Sequence, residues 1–237
     1  LGFMLWVIFL LWFVTGCKQP ASQFTPSEEL GIYPNHFPEP VYNNPENTFT
    51  DERIALGKRL FFDPLLSADN SISCRSCHNP TFAFSDDGKQ FSTGVRNQIG
   101  TRNSPPLFNL AWNTSFMWDG GVNHLELVAL APIELDIEMD ETLGDILTKI
   151  NANTSYREDF KRAYDVDSAT DKTFLYAMAQ YMASLVSSNS KYDKVQQNEA
   201  TFTEKESIGY NLFQQNCNSC HTEPLFTNYS FKNNGLD

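Results

Sequence analysis

The sequence predicts an all-α protein of two helical domains, because apolar residues recur at helical spacing and a short cysteine motif occurs twice, each time after its own helix. The two motif copies lie far apart in the chain, so we expect one domain around each. The first domain is predicted over residues 48–190. Residues 191–237 are predicted to begin a second, incomplete domain. Helices are predicted at residues 51–62, 141–151, 155–165, 171–188 and 203–216.

Each helix prediction depends on a stripe of apolar side chains. The first helix carries Ile54, Leu56, Leu60 and Phe61 at helical spacing. The helix at 171–188 carries a stripe of methionine and aromatic residues, which we interpret as core packing and not as a source of ligands. The last helix begins at Thr203, three residues before Glu206, and this spacing predicts a capping box.

Composition indicates a folded globular protein with an acidic surface. The chain has 237 residues, of which 41% are hydrophobic and 14% aromatic, and its net charge is -12. This charge opposes binding to nucleic acid or to an anionic lipid surface and suits a basic partner protein.

The N-terminus has the pattern of an export signal. Residues 1–14 are almost wholly apolar but too few to span a bilayer, and they precede the sequence Val14-Thr15-Gly16-Cys17, which resembles a bacterial lipobox. We predict a lipoprotein signal peptide at residues 1–16, lipidation of Cys17, and a membrane association that depends only on this anchor. The alternative is a signal peptide that happens to end near a cysteine. Proline-rich residues 17–47 are predicted to form a flexible or wrapping arm with little chemistry.

The remaining four cysteines form two Cys-x-x-Cys-His motifs, which are Cys74/Cys77/His78 and Cys217/Cys220/His221. In this spacing two thiols can form thioether bonds to the vinyl groups of one haem, and the adjacent histidine reaches the iron. The sequence therefore predicts two covalently attached c-type haems, each in a cytochrome c-like domain.

Two other kinds of site use Cys-x-x-Cys pairs. A zinc ribbon usually places about 15 to 20 residues between its pairs, whereas 139 residues separate Cys77 from Cys217. A pair of redox disulfides would leave both histidines unexplained. Both alternatives are weaker than haem attachment, which also agrees with export because c-type haems are attached outside the bacterial cytoplasm.

Two stretches depart from a compact helical pattern. Residues 79–132 are rich in glycine, proline, asparagine and serine, and a long irregular segment inside a domain is usually functional. Only sixteen residues follow His221, which is too few to enclose a haem. We therefore expect the second domain to be cut short at its C-terminus.

Several blocks together resemble the bacterial dihaem cytochrome c peroxidase family, which includes the enzyme that matures a tryptophan-derived quinone cofactor in methylamine dehydrogenase. The resemblance spans residues 51–235. Its landmarks are the blocks ALGKRLFFDPLLSADNSISCRSCHNP, GTRNSPPLFN, FMWDGG, APIELDIEM and CNSCHTEPLFTN, which occur in the family's order.

The resemblance implies distinct roles for the two haems. It makes His78 the ligand of the peroxide-reactive iron and His221 the ligand of the electron-transfer iron. Trp118 matches the tryptophan between the haems, Glu138 matches a distal glutamate that moves protons, and Asn103 matches a side chain that helps to hold Ca²⁺. It further implies hydrogen peroxide as substrate, a small cytochrome c or copper protein as electron donor, a periplasmic location, and a homodimer as a candidate assembly.

Two positions depart from the family pattern. Val95 occupies the place where many members have a histidine that blocks the peroxidatic iron until reduction, and valine cannot ligate iron. The resemblance therefore implies an open iron site in the oxidised protein. Val128 occupies the place of a distal glutamine that orients peroxide, which puts the efficiency of peroxide reduction in doubt.

Several alternatives stay open from the sequence alone. Glu138 lies in an acidic cluster and could belong to a solvated loop, while Trp118 could be ordinary core packing. His36 and His124 receive no ligand role. For the whole protein, a peroxidase is the leading hypothesis. The alternatives are a relative that uses high-valent haem to oxidise a protein side chain or organic substrate, and a non-catalytic dihaem electron carrier or sensor.

Overall fold

A computed structural model describes residues 32–233 and residue 235, and within this part the chain is helical with long loops. The described strand pairing consists of three isolated bridges, which confirms the predicted all-α class. The predicted signal peptide and Cys17 lie outside the described residues. In chain order the α-helices are α1 (Asp51–Phe62), α2 (Cys74–Cys77), α3 (Leu130–Glu134), α4 (Leu143–Ala152), α5 (Thr154–Tyr164), α6 (Asp171–Ala183), α7 (Lys191–Gln196) and α8 (Glu204–Asn216).

Local capping explains where the predicted helices begin. Thr50 caps α1 by accepting a hydrogen bond from the Arg53 backbone N–H at 3.2 Å. Thr203 caps α8 in the predicted capping box, in which the Thr203 backbone N–H donates to Glu206 Oε2 at 2.7 Å. The predicted bounds of α4 and α5 agree with the structure to within two residues.

The prediction for α6 is wrong at its C-terminal end, because the helix stops at Ala183 and not at residue 188. The following residues pair instead with Asn109. The Asn109 backbone N–H donates to the Leu185 carbonyl at 2.7 Å, and the Ser187 N–H donates to Asn109 Oδ1 at 2.8 Å. These bonds supply the partners that another helical turn would have provided.

The first domain is organised by the packing of α1 against α6. A Cβ atom placed on Gly57 would lie 2.0 Å from the Ala177 carbonyl oxygen and 2.8 Å from Tyr181 Cβ. Glycine is therefore required for the close approach of the two helices. The contact buries Leu60 and Phe61 of α1 together with most of α6, and the predicted methionine and aromatic stripe is core packing.

The described part of the proline-rich arm wraps around this core. Trp112 Nε1 donates to the Pro38 carbonyl at 2.7 Å, and the Trp112 ring packs edge-on against Tyr33 and Phe37. Asn47 is almost fully buried, and its carbonyl accepts a hydrogen bond from Gln180 Nε2 at 2.6 Å. The described part of the arm, residues 32–47, thus packs against the helical core.

The irregular segment at 79–132 is divided by the three isolated bridges, which pair Asn79 with Ser85, Thr93 with Ile99, and Phe116 with Val122. Each bridge closes a short loop on itself. The first loop follows the first Cys-x-x-Cys-His motif, the second contains Val95, and the third contains Trp118. Among the helices that the structure describes, none is long and apolar enough to cross a membrane.

Replacing Gly57 with alanine should destabilise the protein, since the new methyl group has to displace backbone of α6. We expect the free energy of unfolding to fall by about 1–3 kcal/mol or more, the usual cost of overpacking a core. Chemical denaturation of the holoprotein, followed by circular dichroism, measures this change.

Gly209→Ala is the matched control, because nothing lies within 4 Å of the added methyl group on α8. Helix propensity predicts a gain of roughly 0.5–1 kcal/mol there. Equal midpoints for Gly57→Ala and the unaltered protein would contradict the packing argument.

Candidate functional site

The first Cys-x-x-Cys-His motif forms a single helical turn, α2. The Ser73 backbone N–H donates to Ser76 Oγ at 3.1 Å, which caps the start of this turn. Cys74 and Cys77 are three residues apart and therefore lie on the same side of the helix. The His78 N–H donates to the Cys74 carbonyl at 2.9 Å and keeps the histidine next to the two thiols.

The imidazole of His78 is held in one orientation. Its Nδ1 lies 2.9 Å from the carbonyl oxygen of Phe84, a residue in the left-handed region at φ 58°. A carbonyl only accepts hydrogen bonds, so Nδ1 carries the hydrogen and Nε2 keeps the lone pair that a metal requires. Burial lowers the pKa of His78, against the opposite effect of the Phe84 and Pro105 carbonyls. Burial thus favours the neutral imidazole that binds iron.

The second motif repeats this geometry at the end of α8. Cys217 caps the helix, and its N–H donates to the Phe213 carbonyl at 2.8 Å. His221 Nδ1 lies 3.1 Å from the carbonyl oxygen of Phe226, which is also left-handed, at φ 57°. Both motifs therefore present a histidine whose Nε2 is the nitrogen available for iron.

The two motifs differ in burial. Cys74, Cys77 and His78 are half-buried, and burial raises the pKa of the Cys74 thiol to about 12. In the second motif both cysteines and His221 are exposed.

An apolar surface accompanies the exposed second motif. On α8, Ile208 is 55% exposed and Leu212 is 56% exposed. A porphyrin is a broad apolar ring, and its placement beside Cys217 and Cys220 would cover such side chains. The residues present therefore fit a haem.

The alternatives to haem find no support in the arrangement of side chains. The four motif thiols are all free. Within residues 32–233, no three side chains of histidine, cysteine, aspartate or glutamate converge on a position suited to a metal ion. The zinc interpretation thus has no geometric basis in the described part of the chain.

Glu138 lies on a loop that is clamped from both sides. The Val95 N–H donates to the Glu138 carbonyl at 2.8 Å, and the Ala68 N–H donates to the Met139 carbonyl at 3.0 Å. A Cβ atom on Gly94 would lie 2.5 Å from the Glu138 carbonyl oxygen, so only glycine permits this close approach. Arg96 forms an ion pair with Asp140 across the same junction. The backbone at Glu138 is therefore well fixed.

The carboxyl group of Glu138 is partly withdrawn from water. Burial raises its pKa above the ordinary value. The pKa of Cys77 is raised first by burial and then by the charges of Asp86 and Glu138, which places the Glu138 carboxylate within electrostatic range of this thiol. Glu134 belongs to the same acidic cluster but is exposed, so the members of this cluster differ in their exposure to water.

The two positions that depart from the family pattern are both buried. Val95 is fully enclosed at the start of a short 3₁₀ helix and lies next to Glu138 through the backbone bond described above. Val128 is 8% exposed and precedes α3. Neither side chain offers a hydrogen bond or an iron ligand.

Trp118 lies at the surface, with 50% of its side chain exposed. Its Nε1 donates to the Asn103 carbonyl at 2.8 Å, and the neighbouring Arg102 and Asp119 form an ion pair at 3.3 Å. Trp118 is therefore not buried in the core of the described residues. The side chain of Asn103 is exposed, and its role as a calcium ligand stays a prediction.

The Trp118 loop contacts the segment that follows the second motif. A Cβ atom on Gly120 would lie 2.7 Å from the ring of Phe231, which comes ten residues after His221. Gly120 also has a positive φ of 74°, so glycine suits both the turn and the contact. Trp118 thus stands on a loop that joins the first domain to the second motif's segment.

The other two histidines do not join either motif. His36 Nε2 lies 3.4 Å from Asp193 Oδ1, which links the arm to α7. His124 is exposed at the start of a 3₁₀ helix. Sequence reasoning missed the two carbonyl acceptors at Phe84 and Phe226, although a phenylalanine shortly after each motif is a shared signal.

Comparison with known proteins agrees with this geometry. A family model described as di-haem cytochrome c peroxidase matches residues 51–201. The methylamine utilization protein MauG of Methylorubrum extorquens is 34% identical over 84% of this chain and 57% of its own length. The cytochrome c551 peroxidase of Nitrosomonas europaea is 36% identical over 81% of this chain and 57% of its own length. The chain thus spans somewhat more than half of these relatives.

Solved structures show the same fold. A MauG-like protein associated with microbial copper homeostasis superposes with a TM-score of 0.75 at 27% identity, covering 84% of this chain and 61% of that one. The diheme peroxidase BthA from Burkholderia thailandensis superposes with a TM-score of 0.66 at 23% identity, over 79% of this chain and 56% of that one, and supports the fold alone.

The match over residues 51–201, the two relatives at 34% and 36% identity and the two oriented motif histidines agree with one another. Two c-type haems are the cofactors of this group, and Cys74/Cys77/His78 and Cys217/Cys220/His221 are the residues that fit them. The chain belongs to the di-haem cytochrome c peroxidase family.

Proposed function

We propose that the protein reduces hydrogen peroxide to water with electrons from a small cytochrome c or copper protein outside the cytoplasm. The observation that carries the proposal is Glu138, a partly buried carboxyl group on a fixed loop, whose charge, after the larger effect of burial, contributes to the raised pKa of Cys77. The net charge of -12 suits a basic donor protein. Lipid anchoring at Cys17 and homodimer formation remain predictions.

Reduction of one peroxide consumes two electrons and two protons and yields two water molecules. The haem at His78, when bound, supplies the iron at which the O–O bond breaks and the electrons for its cleavage. Glu138 accepts the proton of the oxygen that binds and delivers a proton to the oxygen that leaves. A carboxyl group with a raised pKa suits this task, since it exchanges protons nearer to neutral pH.

The loop around Glu138 supports this role. The Val95 N–H and the close contact with Gly94 fix the backbone from which the carboxyl group projects. Val95 leaves the iron of the first haem without a side-chain ligand from this loop. We infer that this haem is open to peroxide in the oxidised protein.

Trp118 is proposed to carry electrons between the two haems. It stands on the loop that contacts Phe231 in the second motif's segment, and its indole is oriented by the Asn103 carbonyl. Electrons that enter at the haem of His221 would cross this junction to reach the haem of His78.

A second candidate is an oxidase that acts on a protein side chain or an organic substrate. The replacement of a glutamine by Val128 favours it, since valine cannot orient peroxide for rapid turnover. Steady-state peroxide consumption with a reduced small cytochrome separates the two. Rapid turnover supports the peroxidase, and a long-lived oxidised state without turnover supports the oxidase.

Glu138→Gln should slow peroxide cleavage by about two orders of magnitude or more, the usual effect of removing a general acid and base. Stopped-flow mixing of the oxidised holoprotein with peroxide measures the rate. Glu134→Gln is the control, because Glu134 belongs to the same acidic cluster but is exposed. Equal rates for the two variants would remove Glu138 from the mechanism.

The same reaction should depend on pH through Glu138. Because burial raises the pKa of this carboxyl, the rate should fall as the pH drops through a value above the ordinary glutamate pKa, where the base becomes protonated. The acid limb should disappear in Glu138→Gln. An identical acid limb in the variant would assign the titration to another group.

Electron paramagnetic resonance of the full-length oxidised holoprotein should show one high-spin haem, because Val95 cannot ligate iron. Two low-spin haems would show that another side chain occupies the open position. The spectrum after partial reduction serves as the control, since no new high-spin species should form on activation.

Trp118→Phe should slow electron transfer between the haems while leaving both haems attached. Flash reduction or stopped-flow absorption follows the redistribution of electrons between them. Arg102→Gln is the control, because it breaks the adjacent ion pair with Asp119 but keeps the indole. An unchanged rate in Trp118→Phe would exclude the indole as the conduit.

A further inference from the structure

The hydrogen bond that orients each motif histidine depends on an unusual phenylalanine. Phe84 and Phe226 both have positive φ, a conformation that costs free energy for a side chain without a local hydrogen bond. Such residues persist only when surrounding contacts hold them. The ring contacts of the two phenylalanines are therefore part of the proximal side of each haem.

The same two kinds of contact hold both rings. One comes from the helix that precedes the motif. Phe61 of α1 lies 6.0 Å from Phe84 between ring centroids, and Phe213 of α8 lies 5.4 Å from Phe226. These contacts join each phenylalanine to the element that leads into its own motif.

The other contact comes from a tyrosine on α6 or α7. Tyr181 packs edge-on against Phe84, with centroids 6.4 Å apart and an interplanar angle of 71°. Tyr192 packs edge-on against Phe226 at 4.8 Å and 68°. Both distances lie in the range that favours edge-to-face aromatic pairs. The two histidines thus have the same support, a tyrosine ring behind a phenylalanine whose carbonyl accepts from Nδ1.

We propose that Tyr181 and Tyr192 are positioning residues that set the reduction potentials of the two haems by holding the carbonyl acceptors of His78 and His221. A strong hydrogen bond from Nδ1 makes the imidazole more basic and a better electron donor. This stabilises ferric over ferrous iron and lowers the reduction potential. Loosening the phenylalanine weakens the bond and raises the potential of that haem only.

The inference depends on haem attachment and not on peroxidase activity. Its readout is an equilibrium potential measured without peroxide, so failure of the proposed function would leave it standing. Tyr192 also hydrogen-bonds Glu223, whose carboxylate accepts from the Tyr210 hydroxyl at 2.9 Å. A test must therefore separate the tyrosine ring from its hydroxyl group.

Tyr192→Leu and Tyr192→Phe make this separation in the full-length holoprotein. Spectroelectrochemical titration gives the two potentials. We expect Tyr192→Leu to raise the potential of the haem at His221 and to leave that of the haem at His78 unchanged. Tyr192→Phe keeps the ring and should restore the original value. Tyr181→Leu and Tyr181→Phe should give the reciprocal result for the haem at His78.

Tyr176→Leu is the matched control on α6, because its hydroxyl contacts Glu46 of the arm and no motif residue. Haem content and helical circular dichroism identify variants that fold. If Tyr181→Leu does not fold, the Tyr192 pair decides alone. The proposal is overturned if Tyr192→Leu moves neither potential, if it moves both equally, or if Tyr192→Phe shifts the potential as much as Tyr192→Leu.

Discussion

The close approach of α1 and α6 at Gly57 is the constraint on which the first haem site depends. The absence of a side chain there lets the two helix backbones approach closely. Phe61 and Tyr181 then contact each other and also pack against the same ring, that of Phe84. The Phe84 carbonyl in turn orients His78. The packing of the two helices thereby influences the orientation of His78, through the ring contacts of Phe84 and the hydrogen bond from His78 to the Phe84 carbonyl.

The second motif lies outside the buried core of the described residues. The contacts to its histidine come from the short loop that contains Phe226, whose ring packs against Tyr192 of α7 and Phe213 of α8. The same histidine, carbonyl and aromatic contacts occur at the first motif, which indicates that this geometry is local. Phe231, ten residues after His221, contacts the Trp118 loop at Gly120.

The helices and the haem motifs could be predicted from the sequence, because both depend on residues that are close together in the chain. Apolar spacing predicted α1 and α8 closely, and the capping box at Thr203 and Glu206 formed as expected. The end of α6 was mispredicted since Asn109, distant in sequence, provides the competing hydrogen bonds. The close contact of Gly94 with Glu138 was beyond sequence reasoning, because it is a backbone contact between separate loops. The left-handed conformation of Phe84 was also missed, because no residue type that favours positive φ stands at that position.

Three isolated bridges divide residues 79–132 into short loops. Backbone hydrogen bonds close each of the three short loops on itself. The acceptor carbonyl of His78, Val95 and Trp118 therefore lie on three separate turns of backbone. A substitution within one of these loops leaves the backbone bonds that close the other two in place.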